Sequence, residues 1–249
     1  MLIMNADDWG RDRLTTDRTL DCVLQRAVSS VSAMVFMEDS ERAARLAREH
    51  GIDAGLHLNL TTAFSSADCA SSLLERQREV AVFLLRSPLS RVVYHPGLAR
   101  SFQYLVFAQI DEFARLYGTA PKRVDGHHHM HLSANVLLGG LLPAGTLVRR
   151  HFSHESGEKR VRNAVFRQFT DFVLARRYRV TDYFFSLPPL EPRARLEKIL
   201  SLARDFAVEV ETHPVNPEEY RFLMEGELFR WAGECPIAPG FAAADSRIQ

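Results

Sequence analysis

The chain has no excess of charge of either sign, since its 249 residues include 31 Lys and Arg against 31 Asp and Glu. Proteins that bind nucleic acid or an anionic lipid surface usually carry clustered positive charge. The charge balance therefore makes both functions poor first hypotheses. We expect no nucleic-acid partner.

Long hydrophobic runs are also lacking. A membrane span needs roughly 20 apolar residues, and the nearest run, residues 136–142, is short and interrupted by Gly139 and Gly140. The first four residues are apolar but meet Asn5 and two aspartates before they could form the core of a signal peptide. We therefore expect no membrane span and a cytoplasmic enzyme or binding domain.

Two kinds of binding motif are missing as well. The three cysteines lie far apart and form no CxxC pair, which argues against a disulfide framework and a thiolate zinc site. The Gly139-Gly140 pair belongs to neither a Walker motif nor a dinucleotide fingerprint. Nucleotide-phosphate chemistry is therefore not indicated.

What the sequence does contain is an alternation of two kinds of apolar segment. Short runs such as Leu2–Ala6, or the strictly alternating Asp53–Leu60, are typical of strands. Segments with apolar residues at helical spacing follow most of them, as around Ala43 and Ala47. We count about seven strands, each followed by a helix or a long connection. This order predicts an α/β fold with a parallel sheet, open or closed into a barrel.

No internal repeat or convincing linker divides the chain, so residues 1–249 are predicted to form a single domain. Residues 61–100 are polar at first and are later interrupted by Pro88 and Pro96, and we expect a variable excursion from the core. Residues 236–249 are rich in Pro, Gly and Ala and are expected to form a loose tail. A long helix is predicted from about Lys159 to Arg177.

Polar residues collect at four predicted strand ends, where parallel α/β folds build their active sites. The four segments are Asn5-Ala6-Asp7-Asp8-Trp9-Gly10, Gly55-Leu56-His57-Leu58-Asn59-Leu60, Asp125-Gly126-His127-His128-His129-Met130-His131 and Glu209-Val210-Glu211-Thr212-His213-Pro214. Each also has a purely structural explanation: solvated acids in a loop, a hydrogen-bonded core histidine, a His-rich loop, and exposed glutamates on an edge strand.

The third segment is unusual because it holds four of the ten histidines within five residues. If the strand continues through it, His127, His129 and His131 share a face with Asp125, and His128 faces away. Not all four rings can reach one ion that other strands also hold. One carboxylate and two imidazoles from separate strand ends would form a metal site with open positions for water and a substrate oxygen. Such an inventory fits hydrolysis.

Taken together, the four segments resemble the signatures of the YdjC/ChbG-like carbohydrate deacetylases over about residues 1 to 235. The resemblance implies a distorted (β/α) barrel of about seven parallel strands, similar to that of NodB-type deacetylases, and in many members a homodimer. It implies an N-acetylated sugar as substrate, either a chitooligosaccharide or, in one branch, a hopanoid-linked aminosugar. Trp9, where the family usually has Phe, and the stretch Arg11-Asp12-Arg13-Leu14-Thr15-Thr16 depart from the family pattern beside the expected site.

The resemblance also implies a role for each site residue. The metal ligands would be Asp8, His57 and His127, holding one divalent ion, Mg²⁺ or Zn²⁺. Asp7 would be the general base that activates water, and His213 the acid that protonates the departing amine. Asp125 would support a ligand without touching the ion.

Two other functions stay open at this point. A non-catalytic sugar- or metal-binding protein could use the same barrel if the substitutions around Trp9 have disabled turnover. A metal-dependent hydrolase of another substrate, such as a phosphoester, would need a basic clamp, for which Arg149 and Arg150 are the candidates.

Overall fold

A computed structural model of the protein describes residues 1–153, 170–171, 173–233, 235–244 and 248. Its strands are β1 (Leu2–Trp9), β2 (Ser30–Ala33), β3 (Ala54–Leu58), β4 (Arg123–Gly126), β5 (Leu147–Val148), β6 (Tyr183–Ser186) and β7 (Val208–Thr212). They follow the order β5-β4-β3-β2-β1-β7-β6 in one sheet, and the pairs β1–β7, β3–β4 and β6–β7 are parallel. The predicted α/β class with about seven parallel strands is confirmed.

Helices follow most of the strands. They are α1 (Arg13–Leu24), α2 (Ser40–His50), α3 (Ser71–Arg86), α4 (Pro88–Val92), α5 (Ala99–Tyr117), α6 (Ala134–Leu138), α7 (Arg193–Asp205), α8 (Pro217–Met224), α9 (Glu227–Ala232) and α10 (Phe241–Ala244), with 3-10 turns at Pro96–Leu98 and His127–Leu132. Residues 170–171 and 173–177 are also helical. Most of the predicted helix from Lys159 to Arg177 lies outside the described residues.

Glycines set several helix ends. Gly51 and Gly118 follow α2 and α5 in the left-handed conformation, with φ of 62° and 76°, which residues with a Cβ adopt only at a cost. Gly226 also adopts a left-handed φ, of 73°, and separates α8 from α9.

Two predicted absences concern membranes and thiols. Over the residues that the structure describes, no helix combines the length and the apolar character needed to cross a bilayer. Cys22, Cys69 and Cys235 are all free thiols. Their separation in the sequence had already argued against a disulfide framework.

The chain divides into two compact units. The first unit comprises residues Met1–Asp7, Asp17–Val31 and Leu147–Gln249, and the second comprises Asp8–Thr16 and Ser32–Thr146. The single domain of residues 1–249 stays a prediction.

In the first unit, β7 pairs with β1 on one side and with β6 on the other. Its residues are all buried, including Glu209 and Glu211. The alternative interpretation of these two acids as exposed residues of an edge strand is therefore wrong. In the C-terminal segment, Ala238 and Phe241 are buried in a hydrophobic cluster with Ile3.

In the second unit, β3 and β4 pair in a register that sets His57 beside Asp125. Residues 61–100 contain α3, α4 and a 3-10 turn. The helix α3 buries Leu73, Val80 and Leu84 and packs against α5. The excursion is thus anchored by one apolar stripe of α3, as expected for an amphipathic helix on a surface.

Candidate active site

The two adjacent aspartates of β1 have different partners. The strand continues to Trp9, beyond the predicted end at Ala6, so both acids lie within it. Asp8 adopts a left-handed φ of 64°. Such a conformation costs a residue other than glycine about 1–3 kcal/mol and is concentrated at functional sites. Asp7 binds Arg149 in the first unit, and Asp8 approaches two histidines in the second.

The second unit brings together the three residues expected to hold a metal. Oδ1 of Asp8 lies 3.3 Å from Nε2 of His57 and 2.9 Å from Nδ1 of His127. All three side chains are buried, and their ligand atoms lie within 4.8 Å of one another. A carboxylate oxygen and two imidazole nitrogens suit a borderline divalent ion such as Zn²⁺.

The hydrogen bonding of His57 tests whether these residues fit a cation. Its Nδ1 lies 2.7 Å from Oδ1 of Asp125, so Nδ1 carries the proton and donates it to this carboxylate. The lone pair of Nε2 then faces Oδ1 of Asp8, a buried atom with no hydrogen-bond partner among the residues that the structure describes. Two lone pairs at this distance repel each other unless positive charge lies between them. The arrangement therefore fits a bound cation.

The electrostatics of Asp8 agree with this fit. Burial by itself would raise the pKa of the Asp8 carboxyl, but positive charge at the positions of His127 and His57 outweighs burial and lowers the pKa far below its usual range. Its second oxygen, Oδ2, accepts a hydrogen bond from Arg11 at 3.1 Å. The carboxylate is thus kept ionised, the form that a metal ligand needs.

Buried hydrogen bonds hold Asp125, the partner of His57, in position. Oδ2 of Asp125 accepts hydrogen bonds from the Ser32 hydroxyl at 2.5 Å and from Arg123 at 3.3 Å. The guanidinium of Arg123 also donates to Ser32 at 3.1 Å. Gly55 makes room for it, because a Cβ at this position would lie 2.7 Å from Cζ of Arg123. The orientation of Asp125, and through it that of His57, depends on this packing.

The histidine-rich segment does not continue the strand. β4 ends at Gly126, and His128 and His129 adopt left-handed φ values of 54° and 58°. The expected common face of Asp125, His127 and His129 is therefore wrong, since side chains alternate only in extended backbone. His127 is buried beside Asp8, whereas His128 is exposed.

In the first unit, Asp7 belongs to a buried cluster centred on Arg149. Two guanidinium nitrogens donate to the two oxygens of Asp7 at 2.7 and 2.8 Å. Nε donates to Glu209 at 2.7 Å, and Nη1 also reaches Glu211 at 3.3 Å. The amide of Asn5 donates to Oδ1 of Asp7 at 2.8 Å. Both carboxylate oxygens of Asp7 are thus held in a fixed orientation.

The contacts of Arg149 and Arg150 argue against the basic clamp that a phosphoester hydrolase would need. Arg149 is buried among carboxylates and has no donor directed to solvent. Arg150 forms an ion pair with Asp171 at 2.6 Å and donates to backbone carbonyls. Both candidates are occupied by protein groups, so neither supports a phosphate site.

His213, the predicted acid, lies at the end of β7 and is half-buried. Its backbone N–H donates to Glu219 at 2.8 Å, which fixes the position of the residue. Its ring forms no hydrogen bond with any residue of the described part of the chain. The roles of His213, Asp7 and the three ligands stay predictions.

The sequence reasoning missed three supporting residues. Arg149 is predicted only as a candidate phosphate clamp, and its local sequence does not indicate the carboxylates that surround it. Arg123 could have been found from its position two residues before Asp125, which puts both on one face of β4. Ser32 carries no such signal, because its contact with Asp125 joins residues distant in the sequence.

The comparisons with known proteins indicate the family of the chain. Residues 1–231 match the family of YdjC-like proteins. The chitooligosaccharide deacetylase of Serratia marcescens is 30% identical over 55% of this chain and 52% of the relative. The carbohydrate deacetylase of Geobacillus stearothermophilus is 31% identical over 54% and 51%. That of Clostridium beijerinckii is 24% identical over 86% and 80%. The chain thus spans about half the length of the first two relatives.

A solved structure shares the fold. A crystal structure from Enterococcus faecalis V583, described as a cellobiose-phosphate cleavage protein, superposes with a TM-score of 0.61 over 95% of each chain. Its sequence identity to this chain is 19%, so the likeness concerns the fold alone.

Replacing one ligand should abolish metal binding. We expect His57→Ala to lower the affinity for Zn²⁺ by more than the roughly 100-fold that loss of a supporting residue costs. His50→Ala is the matched control, because this exposed histidine belongs to α2 and not to the strand ends that carry the three proposed ligands, and the affinity should stay unchanged. Isothermal titration of both variants and metal analysis after dialysis measure the effect. Full metal content in His57→Ala would refute the assignment.

Replacing Gly55 tests whether Arg123, through Asp125, orients His57. A Gly55→Ala change pushes the guanidinium of Arg123 away from Asp125, and we expect a loss of about 10- to 100-fold in metal affinity with the ligands intact. Gly51→Ala is the control for a Gly-to-Ala change as such, because nothing lies within 4 Å of its added Cβ and the cost of its left-handed φ falls on the end of α2 rather than on the packing of Arg123. Equal metal affinity in the two variants would show that Arg123 does not orient the site.

Loss of the central arginine should destabilise the first unit. Arg149→Leu leaves three carboxylates buried without their cation, and removing one partner of such a cluster costs about 3–5 kcal/mol in the free energy of unfolding. Arg150→Leu removes a partly exposed pair and should cost at most about 1 kcal/mol. Urea titrations of both variants measure the difference. Equal midpoints would contradict the central role of Arg149.

Proposed function

Because the chain belongs to the family of YdjC-like proteins, we propose that it is a metal-dependent hydrolase that removes the acetyl group from an N-acetylated sugar. The observation that carries the proposal is the convergence of Asp8, His57 and His127, with the lone pair of His57 aimed at the Asp8 carboxylate. Such a set leaves open positions on an ion for a water and for a carbonyl oxygen.

The three ligands would hold one divalent ion, Mg²⁺ or Zn²⁺. When bound, such an ion supplies Lewis acidity that polarises a carbonyl and lowers the pKa of a bound water. The nitrogen and oxygen ligands suit Zn²⁺ better than Mg²⁺, which prefers oxygen ligands. Ligand chemistry therefore favours Zn²⁺ over Mg²⁺. The proton transfers are assigned to residues of the chain.

Asp7 is the proposed general base. Arg149 and Asn5 together orient its two oxygens, so that the carboxylate is presented in one position. A base fixed in this way loses little freedom when it takes a proton from water.

His213 is the proposed acid. Hydrolysis of an acetamide expels an amine, which leaves readily only after its nitrogen has gained a proton. The ring of His213 is half-buried, and the contact of its backbone with Glu219 fixes where it stands. Its imidazole can deliver the proton to the sugar nitrogen as the carbon–nitrogen bond breaks.

The named relatives support an aminosugar as the substrate class. They are a chitooligosaccharide deacetylase and carbohydrate deacetylases, each matched over part of its length. The occupation of Arg149 and Arg150 by carboxylates disfavours a phosphoester. A cytoplasmic location and a homodimer complete the proposal, and sedimentation velocity tests the homodimer.

Acetate release tests the reaction. Protein loaded with Zn²⁺ or Mg²⁺ should release acetate from N-acetylglucosamine oligomers or from a hopanoid-linked N-acetylaminosugar. Asp7→Asn should retain the metal and lose about 10²- to 10⁴-fold in rate, the usual contribution of a general base. Glu218→Gln, an exposed acid of the first unit, is the control and should keep full activity.

The outcomes separate the competing functions. A metal-loaded protein that binds the oligomers without releasing acetate is the non-catalytic binding protein. Hydrolysis of a phosphoester in place of the acetamide would also contradict the proposal. Loss of metal in Asp7→Asn would show that the roles of the two neighbouring aspartates are assigned wrongly.

A further inference from the structure

Large apolar side chains are unusually exposed on one segment of the second unit. Val82 is 65% exposed, Leu85 is 55%, Leu89 is 70% and Val93 is 54%. They lie on the last turns of α3, on α4 and just after it. Single exposed leucines need no explanation, but several in one place mark a surface that binds something.

The exposed side chains are not the anchoring stripe of the helix. α3 packs on α5 through its buried positions, which include Val80 and Leu84. Val82 and Leu85 lie on other faces of the same turns and are open to solvent. A surface helix normally carries polar residues there. The outer side of α3 is therefore apolar without a packing reason inside the unit.

The charges of this segment are of one sign. Residues 80–110 contain no Asp or Glu, although the whole chain has 31. Arg86 and Arg91 are exposed, and neither forms an ion pair within the part of the chain that the structure describes. The overall neutrality of the chain therefore hides a local cluster of positive charge.

The segment is held in place by the fold. α4 packs against α3, and Phe83 makes ring contacts with His95 and Phe102. The backbone of His95 exchanges two hydrogen bonds of 2.9 Å with the side chain of Asn135. These contacts present the apolar and basic side chains on an ordered surface.

We propose that the surface formed by Val82, Leu85, Arg86, Leu89, Arg91 and Val93, here called the 82–93 surface, binds an anionic lipid bilayer. The apolar side chains enter the boundary between headgroups and acyl chains, and the two arginines bind lipid phosphates. Exposed apolar residues combined with basic residues and no acidic ones are the features of helices that lie in such an interface.

The charge pattern favours a lipid surface over a second copy of the chain. A two-fold dimer places the same patch on both subunits, so Arg86 and Arg91 would face their own copies. Residues 80–110 supply no carboxylate to compensate for them. Like charges across an interface cost affinity, whereas anionic headgroups supply the opposite charge.

A groove beside the surface adds to the argument. It has a volume of about 740 Å³ and is lined mainly by apolar groups, among them Ala63, Leu74 and Ala81, together with Val82 and Leu85 of the 82–93 surface. Thr61 also lines the groove, and its Oγ1 lies 3.1 Å from Nδ1 of His128. His128 follows the proposed ligand His127 in the sequence. A lipid at this surface would therefore lie beside the second unit's part of the candidate site.

Vesicle flotation with the full chain tests the inference, and its readout does not depend on the proposed reaction. We expect the protein to float with vesicles of phosphatidylcholine and phosphatidylglycerol, and to stay unbound with phosphatidylcholine alone. Leu89→Glu and the double variant Arg86→Glu/Arg91→Glu should each bind the anionic vesicles at least about tenfold more weakly. High salt should weaken the binding of the unaltered chain, because it screens the arginines.

Matched controls are available in the first unit. Leu24 is 57% exposed, and Arg230 is an exposed base, so Leu24→Glu and Arg230→Glu should bind the vesicles as the unaltered chain does. Thermal unfolding confirms that each variant is folded. Equal binding of all variants, or no binding to anionic vesicles, would overturn the inference. Sedimentation velocity showing a dimer that Leu89→Glu dissociates would instead assign the 82–93 surface to a second copy.

Discussion

The hydrogen bond between His57 and Asp125 determines what the second unit can hold. By fixing the proton on Nδ1, it leaves Nε2 with a lone pair facing an oxygen of Asp8. Neither atom can be hydrated by bulk water, because both side chains are buried. The parallel register of β3 and β4, the space left by Gly55 and the packing of Arg123 all serve to keep this one bond in place. The consequence is a buried carboxylate faced by two imidazoles, an arrangement that fits a divalent ion.

In the first unit, an arginine side chain compensates for buried negative charge. Asp7, Glu209 and Glu211 lie within reach of Arg149, and three buried carboxylates could not all remain ionised without it. Its guanidinium gives Asp7 a fixed orientation, which is what a proposed base needs. The two neighbouring aspartates of β1 therefore have different proposed roles, because their surroundings differ.

The net charge of the whole chain does not describe the charge of each part of its surface. Equal numbers of acids and bases argue against binding to an anionic surface when charge is taken as a single sum. The acids, however, are absent from residues 80–110, and several of the apolar residues there are exposed. Local composition together with burial, which only the structure provides, is the relevant quantity for a lipid surface. The proposed partner thus follows from where Arg86 and Arg91 lie.

The sequence by itself determined the α/β class, most of the helices and the segments that hold the site, because periodicity, glycine ends and strand-end polarity are local signals. The resemblance of its motifs to a family also predicted Asp8, His57 and His127 as metal ligands, and the structure brings these three residues together. Only the tertiary structure decided that the chain leaves the strand at Gly126, so that the histidine run does not share one face. The partners of Asp7 and Asp125 were likewise beyond the sequence. A buried charge is stabilised by whatever side chain the fold brings to it, and Arg149 is distant from Asp7 along the chain.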